Sequence, residues 1–208
     1  MSSPIVHQGA FGARVALLLE GHARGVALET FLEQPEPHAR MADGSVIVAC
    51  STPAHDLFGR LDDIFRSMHA SWLLCFVSER HLFCGPAFGS TPAPCFRCFR
   101  QRHLAHCGSL TVAEQDMTMS RYFSGDLKRE LPGYLPTAAR MAASYLLHVR
   151  DAADPGVVIK VDLFDTTVTV GRVIPVHGCG RCRPTQGDGS RFNRFLSVMF
   201  AQEPPNGR

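Results

Sequence analysis

Two Cys-x-x-Cys pairs, Cys95-Phe96-Arg97-Cys98 and Cys179-Gly180-Arg181-Cys182, stand eighty residues apart, and they constrain the fold more than any other feature of the chain. Each pair can present two thiolates to one ion, because two intervening residues allow a knuckle whose backbone N–H groups point at the sulfurs. Two knuckles together make the tetrahedral four-sulfur set that structural zinc takes. A metal held this way staples two remote segments of one fold. The alternatives are two redox pairs, or thiols that never meet. A redox pair usually opens a helix just after a strand, whereas Cys95 follows Gly-Ser-Thr-Pro-Ala-Pro and Cys179 follows Val-His-Gly. Those loop-like contexts favour one structural zinc on Cys95, Cys98, Cys179 and Cys182.

With 208 residues, 45% of them hydrophobic and 19% charged, the chain can bury the core of one generous domain. A formal charge of +2 offers no basic stripe for nucleic acid. No apolar run reaches membrane-spanning length, and Met1-Ser2-Ser3-Pro4 does not start a secretory signal. The expected location is cytoplasmic, where eight cysteines are reduced or metal-bound. Cys50, Cys75 and Cys84 lie in apolar segments and read as core residues. His103-x-x-His106-Cys107 is the one competing ligand set.

Along the chain, Pro4–Gln8 reads as a strand, Gly9-Ala10-Phe11-Gly12 as a turn, and residues 13–19 as a helix. A glycine turn between strand and helix lets the backbone approach a phosphate. Here His7 stands where the first glycine of G-x-G-x-x-G belongs, and a tight turn packed closely on the sheet is the competing reading. Strands are expected at 25–31, 45–50, 72–77 and 82–84, with a helix over 54–70 that turns Asp56, Arg60, Asp62 and Arg66 away from its apolar stripe. Gly85-Pro86 breaks the pattern, residues 99–106 read as helical, and 107–135 stay mixed because Gly125, Pro132 and Pro136 interrupt them. A helix over 137–150 is followed by two alternating strands at 157–163 and 167–170. Phe192, Phe195, Leu196 and Met199 share one helical face in the tail. Strands alternating with helices imply an α/β fold, a mostly parallel sheet with helices on both faces and a C-terminal hairpin. Residues 1–184 would form the domain and 185–208 a tail.

The strand-glycine-helix start, the segment from Cys84-Gly85-Pro86 through Thr91-Pro92-Ala93-Pro94-Cys95-Phe96-Arg97-Cys98, and the ending His177-Gly178-Cys179-Gly180-Arg181-Cys182 occur together. This set resembles the ThiF/MoeB superfamily of ubiquitin-activating-type proteins. Within it, the chain is most similar to the ThiF-like partner proteins of azole- and azoline-modified peptide pathways, of the microcin B17 and thiopeptide kind. The resemblance covers residues 4–184 and implies a Rossmann-like domain with zinc on the two cysteine pairs. Its degenerate nucleotide site would correspond to Gly9, Gly12 and Glu29, with Glu29 or Glu33 as candidates to meet a ribose and Arg60 or Arg66 to meet a phosphate.

The departures from adenylating members matter more. His7 spoils the loop, and Ser51-Thr52 stand where an acidic residue would hold magnesium. The resemblance therefore implies a subunit without catalytic residues of its own, a scaffold for a YcaO-type protein. That partner would spend ATP to turn Cys, Ser or Thr of a ribosomal precursor peptide into thiazoline or oxazoline. Many members carry a winged-helix leader clamp before the sheet. Here the first strand begins within ten residues, so leader recognition is expected on a separate leader-binding protein, a second copy or the sheet edge. Homodimerisation is the family expectation. The rival functions are an adenylating enzyme acting on a peptide C-terminus, with Cys107 as candidate nucleophile, and a stand-alone zinc-stapled interaction module.

Overall fold

A computed structural model describes residues 3–36, 45–78, 80–89, 93–126, 128–129, 136–152, 154–176 and 179–182. Seven strands form one sheet in the order β2-β1-β3-β4-β5-β6-β7: β1 is Ser3–Gln8, β2 Ala23–Ala27, β3 Ser45–Cys50, β4 Ser71–Val77, β5 His81–Phe88, β6 Val157–Asp162 and β7 Val168–Arg172. The helices are α1 (Gly9–Leu18), α2 (Leu28–Glu33), α3 (His55–Ser67), α4 (Phe96–Ala105), α5 (Leu110–Ser124) and α6 (Pro136–Arg150).

The expected α/β class holds, but the sheet is mixed rather than mostly parallel. β2, β1, β3 and β4 run parallel to one another, while β5, β6 and β7 each pair antiparallel with the preceding strand. The cause is local: Ser78 bonds back to His81, closing a turn too short for a crossover helix between β4 and β5. β5 does not stop at Gly85-Pro86, as the sequence suggests, but runs through a cis peptide there to Phe88. Its ladder with β6 ends at Cys84–Ile159, which leaves the proline outside that pairing. The hairpin expected near 157–170 is present as β6 and β7.

Side-chain alternation divides the core between the two faces. Ile5, Ile47, Ala49, Leu73 and Cys75 point toward α1 and α6, against Phe11, Val15, Ala142 and Leu146. Val6, Val46, Val48, Cys50, Trp72, Leu74 and Phe76 point the other way, toward Phe31 of α2, Phe58 and Phe65 of α3, Phe96 and Phe99 of α4 and Phe123 of α5. Cys50, Cys75 and Cys84 are core residues, as expected.

Several boundaries differ from the sequence reading. Residues 9–12, expected as a turn before a helix over 13–19, are already the first turn of α1. The strand expected over 25–31 ends at Ala27, where Leu28 and Phe31 turn to bury one helical face of α2. The helix expected from Phe99 begins at Phe96, and a helix, α5, fills residues 110–124. The tail helix expected around 192–199 lies outside the described residues. Among the described residues no helix is long and apolar enough to cross a membrane.

Candidate metal centre and glycine turn

Cys95 is the N-cap residue of α4 and Cys98 lies in its first turn, so one helix start delivers two sulfurs. The first pair therefore does open a helix, and helix context alone does not separate a metal pair from a redox pair. The gathering of all four thiols does. Sγ–Sγ distances are 3.7 Å for Cys95–Cys98, 3.7 Å for Cys95–Cys179 and 3.7 Å for Cys98–Cys182. A zinc–sulfur bond of 2.3 Å gives a tetrahedron with edges of about 3.8 Å, which these distances match. They are far too long for the ~2.05 Å of a disulfide.

Backbone donors complete the knuckles. The Cys95 N–H donates to Cys182 Sγ at 2.9 Å, and the Val176 N–H donates to Cys98 Sγ at 3.2 Å. Burial would raise the Cys179 thiol, but N–H groups of Arg181 and Cys182 and the neighbouring thiols outweigh it, bringing it down to about 7. Burial pushes Cys182 up to about 11 and holds Cys95 far above the ordinary thiol range. Four thiols gathered in one pocket are the donor set that a divalent soft ion takes by displacing protons. Bound there, zinc would crosslink the start of α4 to the 179–182 segment.

That segment is also tied to α3. Arg181 reaches Asp62 at 2.9 Å and pairs with Asp63, while the Trp72 indole N–H donates to Asp62 at 3.3 Å. Asp62 is only 1% exposed, a correction to the expectation that it faces away with Asp56 and Arg60. Arg66, also expected to face away, is half-buried and donates to the Arg181 carbonyl at 3.4 Å.

The glycine turn lies at the carboxyl edge of the parallel half of the sheet. Gly9 opens α1 at φ +71°, a conformation that favours glycine. A Cβ on Gly12 would sit 2.3 Å from the Ala49 carbonyl oxygen, so Gly12 lets α1 press onto β3. Glu29 is exposed in the first turn of α2, after the strand that neighbours β1. Inside the turn, the Phe11 N–H donates to Ser51 Oγ at 3.1 Å. The Ser51 hydroxyl donates to the Gln8 carbonyl at 3.1 Å, and the Ser51 N–H donates to Gln8 Oε1 at 3.1 Å. Ser51 and Thr52 are buried. Ser51 thus binds an N–H group of the kind a phosphate oxygen would need.

The sequence reading missed a second cluster. His55 at the start of α3, His103 of α4 and Asp116 of α5 bring one ligand atom each to within 4.8 Å of one another. His103 was grouped with His106 and Cys107 in the sequence, but its ring faces Asp116, 3.3 Å away, and His106 is exposed. Burial brings the His55 imidazole down to about 4, which keeps it neutral. Burial would raise the Asp116 carboxyl, but His103, His55 and Arg100 together hold it well below the usual carboxylate range. Burial and the Asp116 charge raise the Cys107 thiol, which disfavours the thiolate an adenylating-enzyme nucleophile would need. No signal in the sequence joins His55 to Asp116, sixty-one positions on.

No protein-family model matches the chain, and no curated protein matches it in sequence. Solved structures do. The E. coli microcin synthetase McbBCD complex contains a chain with 10% identity and a TM-score of 0.57, over 86% of this chain and 67% of that one. The heterocyclase TruD matches with 14% identity and a TM-score of 0.55, over 87% and 27%. A heterocyclase in complex with substrate and cofactor matches with 16% identity and a TM-score of 0.54, over 87% and 25%. This chain spans about a quarter of the length of the two heterocyclase chains. At these identities the likeness is one of fold: the α/β domain described here is similar to a portion of heterocyclase and microcin synthetase chains.

Proposed function

We propose that this protein is the non-catalytic scaffold subunit of a YcaO-type, ATP-dependent cyclodehydratase that forms thiazoline or oxazoline rings from Cys, Ser or Thr of a ribosomal precursor peptide. The observation that carries the reading is the union of that fold with a four-thiol cage at the two Cys-x-x-Cys pairs. Zinc in the cage would hold a Rossmann-like domain of residues 1–184 together, and ATP would be bound by the partner. The Ser51 hydroxyl inside the glycine turn supports the absence of nucleotide chemistry here. The peptide would reach the complex through a separate leader-binding protein, and the protein would act as a homodimer in the cytoplasm.

The test is reconstitution. A precursor peptide incubated with ATP, a YcaO-type partner and this protein should lose one water per ring in the mass spectrum, and should lose none when this protein is omitted. Ring formation by the partner at an unchanged rate without this protein would sink the scaffold role.

A second reading, an adenylating enzyme, draws on one placement. The Gly9 turn and Glu29 both lie at the carboxyl edge of neighbouring parallel strands, where nucleotides bind in open α/β sheets. Isothermal calorimetry with magnesium and ATP separates the two. Micromolar binding, about −8 kcal/mol, would favour the enzyme, and no heat from zinc-loaded protein favours the scaffold.

A further inference from the structure

We propose that His55, His103 and Asp116 form a second metal site, distinct from the four cysteines, which takes a divalent first-row transition ion such as zinc or cobalt. His55 is 2% exposed, and among the described residues neither of its ring nitrogens has a hydrogen-bond partner. A buried neutral imidazole must carry one N–H and one lone pair, and leaving such groups unmatched is costly. The Nε2 atom is nevertheless aimed at a carboxylate: it lies 3.6 Å from Asp116 Oδ1, beyond hydrogen-bond range. His103 Nε2 lies 3.3 Å from the same oxygen.

These separations suit an ion between the three groups. With metal–nitrogen and metal–oxygen bonds of 2.0–2.1 Å, a tetrahedron has edges of about 3.3 Å. Two imidazoles and a carboxylate are the donor set of zinc and its first-row neighbours. Each ligand is held before the ion arrives. The His55 ring stands perpendicular to Phe58 and Phe76, His103 stacks on Phe99 at 5.8 Å, and Arg100 grips the other oxygen of Asp116. Such outer partners orient ligands and leave Oδ1 for the metal.

His103 and Asp116 also line a cleft of about 1160 Å³ between α4, α5 and the antiparallel half of the sheet, with Cys107, His81 and Lys160 on its walls. With two of its three ligands on the cleft wall and His55 buried behind them, the site leaves a fourth position for water or a small anionic ligand, unlike the closed four-sulfur cage.

The full chain, stripped with a chelator, re-equilibrated with excess zinc and gel-filtered, is analysed for zinc per chain alongside His103→Ala and Cys98→Ser. The expected result is two equivalents in the wild type and one in His103→Ala. A single wild-type equivalent, or two retained in His103→Ala, overturns the site. Should His103→Ala fail to fold, cobalt decides. Added to wild-type protein holding one equivalent of zinc in its cysteine cage, cobalt should give visible ligand-field bands without thiolate charge transfer. Cobalt absorbance that carries thiolate charge transfer, or none at all, overturns the proposal.

Discussion

The cysteine cage and the glycine turn are both places where a chain can receive an external group, and they have opposite internal states. At the cage, four sulfurs lie within 4.8 Å of one another, three of their separations equal a tetrahedral edge, and backbone donors point at Cys98 and Cys182. Those contacts leave sulfur lone pairs for an ion. At the turn, Ser51 lies against the backbone at Phe11 and Gln8 and spends on the protein itself the hydrogen bonds that a ligand would use. A motif's chemistry therefore depends on what its neighbours already satisfy, and not on its spacing alone.

The largest effect should come from the cage. Cys98→Ser is expected to abolish zinc retention there and to lower unfolding free energy by about 5 kcal/mol, less than the ~10 kcal/mol typical of small zinc peptides because a large core remains. Elemental analysis and urea titration measure both, and full zinc retention in the cage of that variant would remove Cys98 from the ligand set. Next is Arg181→Met, which leaves the Asp62 carboxylate buried without its cation and should cost about 3 kcal/mol. Thermal melts of that variant with and without zinc test whether the loss is independent of the metal.

Smaller effects are expected at the turn. Gly12→Ala forces a methyl against the Ala49 carbonyl and should cost about 2 kcal/mol, read as a lower urea midpoint. Ser51→Ala should cost about 1 kcal/mol. Calorimetry on that variant sharpens the contrast: no ATP heat is expected even with the hydroxyl gone, and recovered binding would make Ser51 a plug over a working nucleotide site.

Much of this was legible. The alternation in β6 and the apolar stripes of α3 and α6 named their own elements, because period and burial agree there, whereas β7 was found by its alternation alone and is exposed along most of its length. The cysteines were legible because residue type and spacing carry one message. Helix α5 was not. Leu110, Val112 and Tyr122 are exposed on it while Ser120 is buried, so no stripe marks its inner face. Asp62 read as a surface charge because its partner, Arg181, is 119 positions away. The same remoteness hid His55, whose setting is made by α4 and α5. The mixed sheet escaped because an apolar run such as β4 looks alike in parallel and antiparallel company.

The cage joins residues 84 positions apart, Cys95 to Cys179 and Cys98 to Cys182. An ion that closes so long a loop makes the fold's measured stability a property of the solution as well as of the chain. Above the dissociation constant of the cage, each tenfold rise in free zinc should add about 1.4 kcal/mol to the folded state through that one site. The melting temperature then reports the zinc buffer, and two preparations of identical sequence will agree only when their free metal does.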